Sequence, residues 1–258
     1  MAVVRRTMLT LLAASRCIAS RQRPQVFSAW ANSGGHIAFR GHGGGGGAGK
    51  GRPPSKIESS LAQDASSGNG FEVLSRDLAY SGWRKIVRNE VRMPTGHVAN
   101  FDVLSQDDPS VAVFVWHTES KTLTLIKEYA PGREVISHGV VAGLYETSKH
   151  SGPLQAAQYE LEEEAHLMGG VWYPLLQDEK TTIAADKYST NEFYCWLCVD
   201  PHTAKSPRPA DIEEFIEIEA GVSLQEALGM IARGEVSIIS GFTIMLAAEK
   251  LRSLGLVA

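Results

Sequence analysis

Short apolar runs broken by turn residues dominate residues 91–128, and the spacing then lengthens. Val91–Met93 and Ala99–Leu104 flank Pro94-Thr95-Gly96, which reads as a hairpin turn. Val111–His117 and Thr122–Glu128 flank a second turn at Thr118–Lys121. Beyond Gly152, Leu154, Ala157, Leu161, Ala165 and Met168 recur at helical intervals and form one apolar stripe. Ser151 is the candidate cap of that helix, Pro153 suits its first turn, and Gly169-Gly170 offers a stop. Phe193–Val199 and Phe215–Glu219 again read as strands. Leu224–Arg233 reads as a helix closed by Gly234, and Thr243–Leu251 as another, with Leu246, Ala247 and Lys250 at helical spacing. Strands and helices mixed without regular βαβ alternation predict an α/β (α+β) sandwich around a mixed sheet.

The first 57 residues follow neither rhythm. They hold nine of the 25 basic residues and no Asp or Glu. Met1–Arg23 can form a basic amphipathic helix, with Leu9, Leu11, Leu12 and Ile18 among Arg, Ser and Ala. That is the composition of an organelle transit peptide, mitochondrial by preference with the plastid as the alternative. A basic disordered tail fits the same composition. A secretory signal does not, because Arg16 interrupts a short apolar run. Gly43–Gly47 lies in a flexible Gly/Ser/Pro-rich stretch, and a phosphate-cradling loop would need a strand before it and Gly-Lys-Ser/Thr after it. The expected organisation is therefore a transit and Gly-rich disordered segment at 1–57, a linker at 58–70, and a folded domain at 71–258.

Charge sharpens the picture. Residues 58–258 keep 16 basic against 29 acidic residues, a net charge near −13, against −4 for the whole chain. A domain that acidic is a poor partner for nucleic acid, and it needs a cation if it is to handle a polyanionic phosphate. No stretch reaches the ~18–20 apolar residues of a membrane span. Three cysteines argue against a disulfide framework. Cys195 and Cys198 sit in a dense apolar strand, where i and i+3 point to opposite faces, so they read as core rather than as metal or redox groups.

The candidate chemistry lies in Tyr159-Glu160-Leu161-Glu162-Glu163-Glu164, which puts four carboxylates into five positions. Glu160, Glu163 and Glu164 share one helical face, where like charges repel. A solvated acidic face is one reading. A divalent metal that offsets the repulsion is the other, and the apolar stripe beside it favours a packed helix.

This stretch resembles the Nudix box: Gly, five residues, Glu, seven residues, then Arg-Glu-apolar-x-Glu-Glu-x-Gly-apolar. Val141-Ala142-Gly143 matches its start and Glu160-Leu161-Glu162-Glu163-Glu164 its metal-binding core. The span from Gly143 to the Arg position is two residues longer than the pattern. Tyr159 stands at the Arg position, His166 at the late Gly, and Lys149 or Ser151 at the early Glu. Over roughly residues 71–252 the chain resembles the ADP-ribose pyrophosphatase branch. Phe71–Asp102 looks like that branch's extra N-terminal strands, and residues 211–217 like its acidic loop.

The resemblance implies a Nudix-type α/β/α sandwich with extra N-terminal strands. It implies Mg2+ or Mn2+ held by Glu160, Glu163 and Glu164, with the backbone carbonyl of Ala142 or Gly143 as a further ligand. The cation would neutralise a pyrophosphate and activate a water, with Glu163 and Glu164 in the catalytic set and Glu213 or Glu214 taking the proton. Arg133, Gly143 and Glu192 are the implied substrate-binding residues, and His138 and His166 read as structural. The implied substrate is a nucleoside diphosphate linked to a second moiety, ADP-ribose or an ADP-sugar, and the implied assembly a homodimer. A Nudix-like module that only binds nucleotide or a protein partner is the alternative, favoured by Tyr159, the extra residues and His166.

Overall fold

The computed structural model describes residues 69–209 and 215–257. The transit-like segment, most of the linker, and Glu213 and Glu214 lie outside the described residues. Three antiparallel strands come first: β1 (Glu72–Ser81), β2 (Lys85–Arg92) and β3 (Val98–Ser105). The β2–β3 turn is the one Pro94-Thr95-Gly96 predicts. Gly96 takes φ 83°, and Met93 and His97 close the turn with an N–H···O bond of 2.8 Å. This small sheet is tied to the rest through Leu104, which donates to the Tyr188 carbonyl (2.8 Å) and accepts from the Thr190 N–H (3.0 Å).

The main sheet is mixed. Strands β4 (Ser110–His117) and β5 (Thr122–Ala130) form the second predicted hairpin. They pair over only three residues, Val115–His117 with Thr122–Thr124, and then part. The gap is filled by two short strands from one segment: β6 (Val135–Gly139) follows β5, and β7 (Val141–Leu144) follows β4. After helix α1 (Pro153–Ala165) come β8 (Leu167–Met168), β9 (Val171–Pro174), β10 (Ile183–Ala184), β11 (Glu192–Val199), β12 (His202–Thr203) and β13 (Ile216–Ser223). β11 runs parallel to β4 and carries β9 and β10, while β13 pairs antiparallel with β5. Helices α2 (Leu224–Arg233) and α3 (Ile238–Ser253) close the chain.

Strand alternation sorts the core into two layers. Val111, Val113, Val115, Trp196 and Cys198 pack with Ala157, Leu161 and Ala165 of α1. Ala112, Phe114, Trp116, Cys195 and Leu197 pack with Ile244, Ala247 and Leu251 of α3. The sheet is therefore covered on both faces, as an α/β/α sandwich requires. Truncating a fully buried member such as Leu161 to Ala costs about 2–5 kcal/mol. The two cysteines face opposite layers, as their spacing predicts, and burial pushes the Cys198 thiol up to about 12. Among the described residues, no helix is long and apolar enough to cross a membrane.

Both ends of α1 differ from expectation. Gly152, not Ser151, is its N-cap, with extended backbone and no side-chain bond to the helix. Ser151 instead donates its N–H to Gln155 Oε1 at 2.8 Å. The helix stops at Ala165, before Gly169-Gly170, because His166 turns left-handed at φ 55°. Met168 therefore leaves the apolar stripe and sits exposed in β8. The His166 carbonyl accepts from the Ala204 N–H at 2.9 Å, so β12 and its neighbours hold a turn that glycine would take more easily.

Candidate functional site

Strand β7 is pinned to β4 in a register that sets Val111 opposite Gly143 and Ala112 opposite Ala142. Its other edge meets α1. The Ala142 N–H donates to Glu164 Oε2 at 3.0 Å, so it points away from β4. In an antiparallel strand a residue's N–H and C=O leave on the same edge, so the Ala142 carbonyl also faces the α1 side. Glu164 is only 7% exposed, and its hydrogen bond to a strand amide answers the burial of a carboxylate there.

One residue on, the Glu160 carboxylate lies directly over Gly143. A Cβ built on Gly143 would fall on its carboxyl carbon and both oxygens. Gly143 is thus glycine for close approach, not for an unusual φ. Two carboxylates, one helical turn apart, are held against two consecutive residues of β7.

Glu163 does not join them. Starting from Glu160, the helix advances about 40° to Glu164 but turns about 60° the other way to Glu163. Glu163 is half-buried and lies 4.0 Å from a guanidinium nitrogen of Arg208. Burial pushes its carboxyl above the ordinary range, against the opposing pull of Arg208. Among the described residues, no group of three or more His, Cys, Asp or Glu side chains converges on a common point for a metal ion. Glu160 and Glu164 are thus seated on β7, while Glu163, the third residue of the expected trio, faces Arg208 on the adjacent flank.

An all-oxygen donor set of two carboxylates beside the Ala142 carbonyl suits a hard divalent cation such as Mg2+ or Mn2+. Those are the residues that would hold it.

An aromatic row includes His150, whose charge is felt at Glu163. Tyr145 meets Tyr194 edge-on with ring centres 6.0 Å apart, His150 meets Tyr159 edge-on at 5.5 Å, and Tyr145 and His150 are 6.3 Å apart. Between Gly143 and α1 the chain forms the turn Glu146–His150, in which Lys149 pairs with Glu146 at 2.7 Å.

The remaining sequence candidates have other partners. Arg133, at the β5–β6 turn, donates from both terminal nitrogens to the Gly234 carbonyl at 3.3 Å, where a cation answers the C-terminal end of α2. Glu192 opens β11 and accepts from the Thr182 hydroxyl at 2.6 Å. His138 bonds Glu219 at 2.7 Å, and Lys127 pairs with the same carboxylate at 3.1 Å. Arg208 escaped the sequence reading altogether. Its only local signal is a lone cation between Pro207 and Pro209, shortly before an acidic run.

No protein-family model matches the chain and no curated protein is similar to it. Among solved structures, the fold is similar to that of an ADP compounds hydrolase, with a TM-score of 0.60 and 18% sequence identity. The match covers 72% of this chain and 97% of that one. It shows the fold: an α/β/α sandwich around a mixed sheet.

Proposed function

We propose that this chain hydrolyses the pyrophosphate bond of an ADP-linked small molecule, ADP-ribose or an ADP-sugar, with Mg2+ or Mn2+. The observation that carries this reading is the seating of Glu160 over Gly143 beside Glu164 on Ala142. The likeness in fold to an ADP compounds hydrolase supports the substrate class. A bound divalent cation would supply charge neutralisation at the pyrophosphate oxygens and a more acidic water. The chain's own part is to hold Glu160, Glu164 and the Ala142 carbonyl together at β7. Such preorganisation requires no rearrangement as charge develops. Water forms a new P–O bond as the bridging P–O bond breaks, and the products are AMP and a sugar phosphate. The proton from that water goes to Glu213 or Glu214 in this reading.

A second copy of the chain is the proposed partner. The three-stranded sheet exposes Leu78, Tyr80 and Leu104, and the adjoining β1–β2 turn leaves Trp83 80% exposed. Apolar surface of that kind suits a subunit contact.

The test is release of AMP from ADP-ribose by the full chain with and without Mg2+, compared with Glu160→Gln. Metal-dependent release that the substitution abolishes supports the reading. Absence of turnover on ADP-ribose, ADP-sugars, NADH and diadenosine compounds sinks it. The divergence of Glu163 from Glu160 and Glu164 favours, as a second reading, a module that binds such nucleotides without cleaving them. Nucleotide uptake without turnover in the same assay identifies that case.

A further inference from the structure

Arg208 reaches α1 from the loop after β12, and the carboxylate pair on β7 does not account for its position. Its guanidinium carbon stands 3.6 Å from the centre of the Tyr159 ring. Nε lies 3.4 Å from Glu162 Oε2, and a terminal nitrogen lies 4.0 Å from Glu163 Oε1. Both ion-pair distances are long, and the buried Nε has no aligned hydrogen-bond acceptor. The flat ring, more than either carboxylate, sets the plane of the cation. Pro207 fixes its own φ, and Pro209 holds Arg208 to extended backbone, so the arm that delivers the guanidinium is stiff.

Helix geometry gives the arrangement its meaning. Glu162 and Glu163 lie three and four residues beyond Tyr159, so they are the nearest surface neighbours of position 159 in that direction. A cation resting on the Tyr159 ring occupies the space that a long basic side chain at 159 would fill. We propose that Arg208 is the positioning cation of this site: stacked on Tyr159, it holds Glu162 and Glu163 on the outer flank of α1 while Glu160 and Glu164 lie against β7. The proposal rests on the metal reading given above, because its consequence is felt at the Glu160–Glu164 pair. Without the guanidinium, the outer carboxylates lose a close opposite charge. Glu163 then turns toward a cation held by the inner pair, which gains a third carboxylate and loses its intended geometry.

The experiment is calorimetric titration of the full chain with MnCl2, with ADP-ribose turnover measured alongside. Arg208→Ala is expected to bind Mn2+ about three- to tenfold more tightly, as removal of a nearby positive charge dictates. Its kcat is expected to fall about tenfold or more, with KM nearly unchanged, because the misplaced groups act in the transition state. Tyr159→Arg in the Arg208→Ala background returns both values to within roughly twofold of the original, since an arginine at 159 reaches Glu162 and Glu163 from the helix itself. A merely structural role for the 206–209 loop would not be rescued that way. Arg208→Lys guards against misfolding: it keeps the charge without the stacked plane and should give an intermediate Mn2+ affinity at an unchanged Tm.

The proposal is overturned if Arg208→Ala leaves Mn2+ affinity unchanged, or if Tyr159→Arg does not reverse the shift. A chain that takes up Mn2+ but cleaves no substrate strikes only the hydrolase reading, and the Mn2+ titration still decides the role of Arg208. No Mn2+ uptake by the unaltered chain overturns both.

Discussion

The carboxylate of Glu160 occupies the position that a side chain on Gly143 would need. A strand and the helix that follows it thus meet at a point where one residue must have nothing beyond Cα. The obstruction is the far end of a flexible side chain, not backbone. Gly143→Ala should therefore fold, with a stability loss of no more than about 1 kcal/mol. Mn2+ uptake should still weaken about tenfold or more, because the displaced Glu160 can no longer face the strand edge. Thermal unfolding and calorimetry on the same preparation measure both, and an undiminished titration contradicts the assignment.

Glu164 supports a different pair of substitutions. Glu164→Gln keeps an oxygen that can accept from the Ala142 N–H, so stability should hold while cation uptake drops. Glu164→Leu strands that amide in a buried site and should cost about 1–3 kcal/mol more than the glutamine variant. Urea denaturation compares them. Equal stability of the two would show that the Ala142 contact contributes nothing.

On the opposite layer, burial resists ionisation of Glu219, but hydrogen bonds from His138 and Lys127 outweigh it and hold the carboxyl below its ordinary value of 4.5. A depressed folded-state pKa adds stability above the unfolded value and loses it as pH falls through the folded one. Glu219→Gln should therefore destabilise at pH 7 and lose that disadvantage at a pH well under 4.5. Denaturation midpoints of both proteins across this range test the sign, and parallel curves contradict it.

Trp83 is the most exposed large apolar side chain of the β1–β3 region. Trp83→Asp should shift the full chain from dimer to monomer in sedimentation velocity, with the secondary structure unchanged. An unaltered chain that already sediments as a monomer removes the dimer reading.

The hairpins, α2 with its Gly234 cap and the apolar stripe of α1 were legible because each is signalled locally, by turn residues or by period. The β6 and β7 strands were not. Val135–Leu144 is short, interrupted by glycine, and forms strands only because β4 and β5 part and leave two edges open. The end of α1 was misread for a similar reason. Gly169-Gly170 is the stronger local stop, yet the Ala204 contact holds His166 in the left-handed turn. The acidic helix could be recognised from sequence, but the split between Glu160/Glu164 and Glu163 could not. That split depends on where β7 and Arg208 stand, and a residue 44 positions beyond Glu164 leaves no mark on the helix pattern.

The forked sheet bears on how such a site tolerates changes in chain length. Gly143 takes its place from Val111 across the ladder, and Glu160 takes its place from Leu161 and its neighbours underneath. Neither anchor is set by the stretch that joins them, which bends back on itself at Glu146–His150. A ruler laid along the chain from glycine to glutamate miscounts here, while the meeting of those two residues survives.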